Sequence, residues 1–199
     1  MMVAMSELRI LLTGMALSWL ALVPSGASAQ SISPREIRNM SAAEFERHAS
    51  EEGPQQFVQR LLKDEDPHSP EEPNFDVVLE HVAEGSNGWL RAAAHVGPYT
   101  NATFSQGLRV AIADALVANP VGVLKLIGTE EHFDQACGYP FVHQTDTYMM
   151  RHQHEALAAL NRVRQPALTE KVAACRKQLM DVPTSQANDA GQTPPPVHN

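Results

Sequence analysis

Phe104-Ser105-Gln106-Gly107-Leu108-Arg109-Val110-Ala111-Ile112-Ala113-Asp114-Ala115-Leu116-Val117 is the stretch on which the fold turns. Phe104, Leu108, Ile112, Ala115 and Leu116 recur at the spacing of one helical face. Val110 and Val117, seven positions apart, fall on nearly the opposite side. A helix with apolar residues on two sides must be covered on two sides, so this one is predicted near the centre of the domain.

Outward from it, the apolar residues keep the helical period and no run alternates as a half-buried strand would. Upstream, Ser41 and Glu44 form a capping box that opens a helix through about His48. Gly53-Pro54 ends that segment and starts the next, whose apolar face is Phe57, Val58, Leu61 and Leu62. Asp64 to Pro73 holds three prolines and five acids in ten residues, and reads as a solvated loop rather than a calcium site. Phe75, Val78, Leu79 and Val82 mark a helix stopped at Gly85. Ser86-Asn87-Gly88 then turns the chain into a short helix from Trp89, closed by Gly97-Pro98. Downstream, Asn119-Pro120 opens a helix from Val121 to Ile127. Thr129 is read as the cap of a helix from Glu130 to about Cys137, with Glu130 and Glu131 complementing its dipole. Thr145 or Asp146 caps a long helix to about Arg164, and Pro166 starts a last one through Met180. The sum is an all-α chain of eight or nine helices. Short connections predict stacked antiparallel helical hairpins, in an irregular bundle or a HEAT-like array, with one disulfide.

The first residues read as a secretory leader. Arg9 precedes an apolar run from Ile10 to Val23, and Ala27-Ser28-Ala29 supplies the exit, which places cleavage between Ala29 and Gln30. That run, about 14 residues, is too short to span a bilayer as a helix, and no transmembrane segment is expected in the mature chain. The domain division is therefore a signal peptide at 1–29, an all-helical domain at 30–182, and a Pro- and polar-rich tail at 183–199 with no apolar face to bury. The predicted location is periplasmic or extracellular. The chain carries 15 basic and 23 acidic residues, and the leader removes one of each, so the charge stays at −8. An acidic chain without clustered Lys or Arg repels phosphate backbones, which argues against nucleic acid as a partner.

In an oxidising compartment Cys137 and Cys175 most simply form one bridge. The rival reading, a reactive thiol or a metal ligand, lacks a C-x-x-C spacing or a His and Asp set at a recognisable offset. Nine histidines invite a metal hypothesis, and six of them lie between His81 and His154. His152 and His154, however, stand about 200° apart around a helix and cannot grip one ion. No H-E-x-x-H occurs, and neither a metal nor a cofactor is predicted. On the same helix Gln153 falls near the centre of the stripe of Met149, Ala156, Leu157 and Leu160, with His152 at its edge and His154 in solvent. A buried amide there needs a backbone partner, in the Gly138–Phe141 turn or at a helix end, unless it lines a cleft. Tyr99, Tyr139 and Phe141 place aromatics on turns, where they either fold back over the core or form a contact surface. Tyr99, Tyr139, Phe141, His143 and Gln153 are the candidate binding residues. No catalytic constellation is recognised: there is no G-x-S-x-G, no phosphate-binding glycine loop and no Cys–His pair.

Trp89-Leu90, Ala92-Ala93, Asn119-Pro120, Val123-Leu124 and Ala136-Cys137-Gly138-Tyr139-Pro140-Phe141, with a second cysteine in the last helix, resemble a group of secreted, all-helical bacterial proteins. The similarity covers about Phe75 to Cys175. It implies a helical fold and a Cys137–Cys175 bridge, and carries no activity, ligand or catalytic residue. The functional expectation is a non-enzymatic exported protein that binds a protein partner in the cell envelope, such as an immunity or accessory factor. The alternative is a small-ligand or metal-binding periplasmic protein, with a cleft lined by His81, His95, His132 or His143 and by Gln153.

Overall fold

Hydrogen-bond acceptors at the helix starts set the boundaries of most elements. The computed structural model describes residues 32–63, 74–138, 140–141 and 145–181. They form ten helices: α1 (Pro34–Asn39), α2 (Ala42–Glu52), α3 (Pro54–Lys63), α4 (Asn74–Ala83), α5 (Asn87–Val96), α6 (Ala102–Ala118), α7 (Pro120–Leu126), α8 (Glu131–Asp134), α9 (Asp146–Leu160) and α10 (Thr169–Met180). Short 3-10 turns at Gly97–Tyr99 and Pro166–Leu168 precede α6 and α10, and no strand occurs among the described residues. The chain is all-α. The leader, the 64–73 loop, Tyr139, His143 and the 183–199 tail lie outside the described residues.

Ser41 and Glu44 make the expected capping box, and Ser33 with Glu36 makes a second one at α1. The α1 helix was not anticipated, because six residues are too few to show a period. Ser86, Asn101, Asn119 and Thr145 cap α5, α6, α7 and α9 through backbone N–H groups three residues on. Several boundaries differ from the sequence reading: α2 runs on to Glu52 rather than ending near His48, and Pro166 opens a 3-10 turn with α10 starting at Thr169. Glu130 caps α8 in place of Thr129, whose hydroxyl instead donates to the Leu126 carbonyl. The α8 helix stops at Asp134, and α9 stops at Leu160 rather than Arg164.

The capping boxes make stability pH-dependent with a definite sign. The backbone N–H groups of Ser33 and Ser41, and then their hydroxyls, hold the carboxyls of Glu36 and Glu44 below their ordinary value. A depressed folded-state value contributes stability above the unfolded value of about 4.3, and that stability is lost as pH falls through the folded value. Glu36→Gln/Glu44→Gln is expected to flatten the acid limb of the melting temperature between about pH 7 and about pH 3. Thermal melts across that range check it; an unchanged limb contradicts it.

The central helix is α6. Phe104, Leu108, Ile112, Ala115 and Leu116 are fully buried in the main core, where Val77, Val78 and Val82 of α4 also lie. The Phe75 ring lies 5.6 Å from that of Phe104. On the other side, Ala113 packs with Phe141 and with Met149 of α9, and Val110 borders that second cluster. Val117 joins the edge of the main core instead. It does so because the elements covering α6 change along its length: α4, α7, α8 and α9 all pack on it. Sequential pairs such as α2–α3 and α6–α7 exist, yet the principal partner of α6 is α4, and α1 packs on α4 as well. The packing thus combines consecutive pairs with pairs that skip along the chain.

Two local devices hold this arrangement. The Asn119 amide donates to the Gly85 carbonyl at 2.7 Å while its oxygen caps α7, tying the α4–α5 turn to the α6–α7 corner. Gly85 has φ +73°, and Gly122 stands where a Cβ would come within 2.5 Å of the Asn119 amide. Cys137 and Cys175 are bridged, with Cα atoms 5.0 Å apart, which joins the turn after α8 to α10.

Candidate functional site

Ser105 and Arg109 are four residues apart on α6, so they share one face while Phe104 and Leu108 turn into the core. That face meets α8 and the Gly97–Tyr99 turn. Together they enclose an open pocket of about 430 Å³ lined by Pro98, Thr100, Ser105, Arg109, Glu131 and His132 among others. The size suits a small molecule.

Three side chains form a hydrogen-bonded line at one wall. Ser105 Oγ is 2.7 Å from His132 Nε2, and His132 Nδ1 is 2.5 Å from Glu130 Oε1. The other carboxylate oxygen of Glu130 accepts from the His132 backbone N–H at 3.0 Å. One carboxylate thus caps α8 and fixes the imidazole at once. A carboxylate only accepts, so in the neutral ring Nδ1 carries the hydrogen and Nε2 is left to accept from the serine hydroxyl. The ring is 6% exposed, and Ser105 is half-buried at the pocket wall. Gly97 permits the close approach of the turn: a Cβ there would lie 3.1 Å from Glu130 Oε1 and 3.2 Å from His132 Nδ1.

Arg109 stands one helical turn beyond Ser105. Its Nε is buried and has no hydrogen-bond partner among the described residues. Its ion pair with Glu131 is loose, at 3.9 Å from Nη2, and Glu131 is largely exposed. The pocket therefore contains a guanidinium whose hydrogen-bonding capacity is poorly used among the described residues.

The candidate residues read from sequence go to different places. Tyr99 is 43% exposed, on the turn whose neighbours Pro98 and Thr100 line the pocket. Phe141 is buried, 4.5 Å from the His152 ring and 5.4 Å from that of Tyr148. Gln153 is half-buried, and its amide donates to the Leu179 carbonyl near the end of α10. That is a structural bond to a helix end, and Gln153 does not line the pocket. Neither His81 nor His95 lines the pocket; His81 stacks on Trp89 at 4.5 Å. Of the residues expected to line a cleft, Gln153 with His81, His95, His132 or His143, only His132 lies in this pocket, and His143 is outside the described residues. Among the described residues no cluster of three His, Cys, Asp or Glu is placed to hold a metal ion.

His152 departs from its expected place at the stripe edge. It is buried, donates from Nε2 to the Ala113 carbonyl at 2.9 Å, and lies 3.6 Å from Asp114. The second apolar side of α6 draws α9 round so that His152 faces inward and Gln153 faces α10. His154 is exposed, as the helical wheel required. Tyr148 donates to Asp114 at 2.7 Å; burial, and then that bond, push its phenol above its ordinary value.

Ser105, Arg109 and Glu130 were missed as site residues. Glu130 was read as a dipole partner, which is only half of its role. The i, i+4 pairing of Ser105 and Arg109 was visible, but nothing in the sequence linked it to residues 130–132. No family model, curated protein or solved structure matches this chain.

Proposed function

We propose that this protein binds a small carboxylate-bearing molecule in the pocket between the start of α6 and α8. The observation that carries the reading is Arg109, a half-buried guanidinium in a chain of net charge −8, whose Nε has no hydrogen-bond partner among the described residues and whose ion pair with the exposed Glu131 is long, at 3.9 Å. Removing a cation from water costs free energy unless hydrogen bonds and opposite charge replace the lost hydration. A planar guanidinium matches a carboxylate with two parallel bonds. The Cys137–Cys175 bridge supports an exported setting, in keeping with the leader.

Titration by ligand-observed NMR with acetate, succinate, glutarate and adipate tests the reading. Saturable binding of at least one dicarboxylate is expected, weakened about tenfold or more in Arg109→Met with the melting temperature unchanged. Absence of saturable binding by the whole series ends it. A protein partner is the second reading, supported by the exposed aromatic Tyr99 beside the pocket. Co-purification of a stoichiometric partner that is lost in Tyr99→Ala favours it.

A further inference from the structure

We propose that Ser105 is a nucleophile and that this pocket hydrolyses an ester whose acyl group carries a carboxylate a few bonds from the scissile carbonyl. The inference rests on the carboxylate-binding reading above and adds a reaction to it.

The line Ser105–His132–Glu130 has the connectivity an activated hydroxyl needs: nucleophile to base at 2.7 Å, and base to an orienting carboxylate at 2.5 Å. A buried imidazole also needs partners for both nitrogens, and a serine and a glutamate can simply satisfy them. Three features go beyond that need. Ser105 borders the pocket instead of being sealed with the imidazole. Glu130 is held through its second oxygen by the His132 backbone N–H, so the carboxylate is fixed in place to orient the ring through Nδ1. Gly97 gives the turn room to lie against the carboxylate–imidazole pair. Ser105 also lies in the first turns of α6, where the helix dipole favours developing negative charge.

The reaction balances with water as the only co-reactant. Ser105 Oγ bonds to the ester carbonyl carbon as its proton passes to His132 Nε2. The carbon–oxygen bond to the alcohol then breaks, and that proton goes to the leaving oxygen. Water attacks the acyl-serine and gives a proton to His132. The bond from carbon to Oγ breaks as this proton returns to Ser105, and a carboxylic acid leaves. Glu130 holds the imidazolium throughout. Arg109, one helical turn from Ser105 on the same face and in the same pocket, is placed to take the acyl group's carboxylate. A carboxylate there fits a half-ester of a four- or five-carbon dicarboxylic acid.

The test treats the full chain with a fluorophosphonate, which transfers its phosphoryl group to an activated serine with loss of fluoride. Adduct is located by peptide mass mapping, and glutarate binding is followed on the same preparation. Turnover of the 4-nitrophenyl half-ester of glutaric acid is then compared with that of 4-nitrophenyl acetate. The expected result is a single adduct on Ser105, absent in Ser105→Ala and formed about 100-fold more slowly in the isosteric Glu130→Gln. The half-ester is expected to turn over faster than the acetate. Glutarate binding without a Ser105 adduct overturns the nucleophile and leaves the binding reading standing. Loss of both overturns both. An adduct that forms equally fast in Glu130→Gln, or on another residue, removes the proposed relay.

Discussion

Cys137→Ser/Cys175→Ser is expected to lower the unfolding free energy by about 4 kcal/mol, because the bridge closes a loop with a sequence separation of 38. In the chain-entropy model that closure removes conformations from the unfolded ensemble, and the loss is large beside a typical total stability of about 5–15 kcal/mol. The effect should concentrate at α10. Of that helix only Cys175 and Leu179 are buried, so the bridge is a large share of what fastens it. Guanidinium unfolding of the oxidised protein and of the double variant measures the difference. Hydrogen exchange should show α10 losing protection before α6 does. An unchanged midpoint, or equal loss of protection in both helices, contradicts the account.

Phe104→Ala is expected to cost about 3–5 kcal/mol. The ring is fully buried, meets Phe75, and lies between α4 and α6, the most extensive helix pair in the domain. Truncation leaves a cavity that the rigid α4–α6 interface can only partly close, so the lost contacts add to the lost transfer term. Urea unfolding checks the magnitude, and a cost under about 1 kcal/mol would mean that the site collapses around the gap. Because Ser105 follows Phe104 directly, the same variant should loosen the start of α6 and weaken binding in the pocket. That weakening is separable from Arg109→Met, which leaves the melting temperature alone.

What could be read from the chain follows the range of the interactions concerned. Ser41 with Glu44, and Asn119 before Gly122, act across three residues, so each cap stands in the sequence as a pattern. The two-sided pattern of α6 foretold its central place for the same reason. Its period records how much of each face is covered, though not by what. Glu130 shows where such reading stops: the sequence offers Thr129 as the cap and Glu130 as a dipole partner, and neither the capping bond of Glu130 nor its bond to the imidazole has a pattern of its own. Phe141 and Tyr99 looked alike as turn aromatics, yet one is buried and the other exposed. Which way a turn aromatic points depends on whether a neighbouring helix leaves a hole for it, as α6 and α9 do for Phe141.

By itself the sequence determined that this chain is helical, where most helices begin, and which two sulfurs were there to be joined. Each of these is a matter of neighbours within a turn or two, or of having only two cysteines. Only the tertiary structure decided that Ser105 meets His132 across 27 positions, and that Arg109 shares their pocket. Side chains on separate helices acquire a common chemistry through the packing of whole faces. That packing is settled by the complementarity of many apolar contacts at once, and no short stretch of residues encodes it.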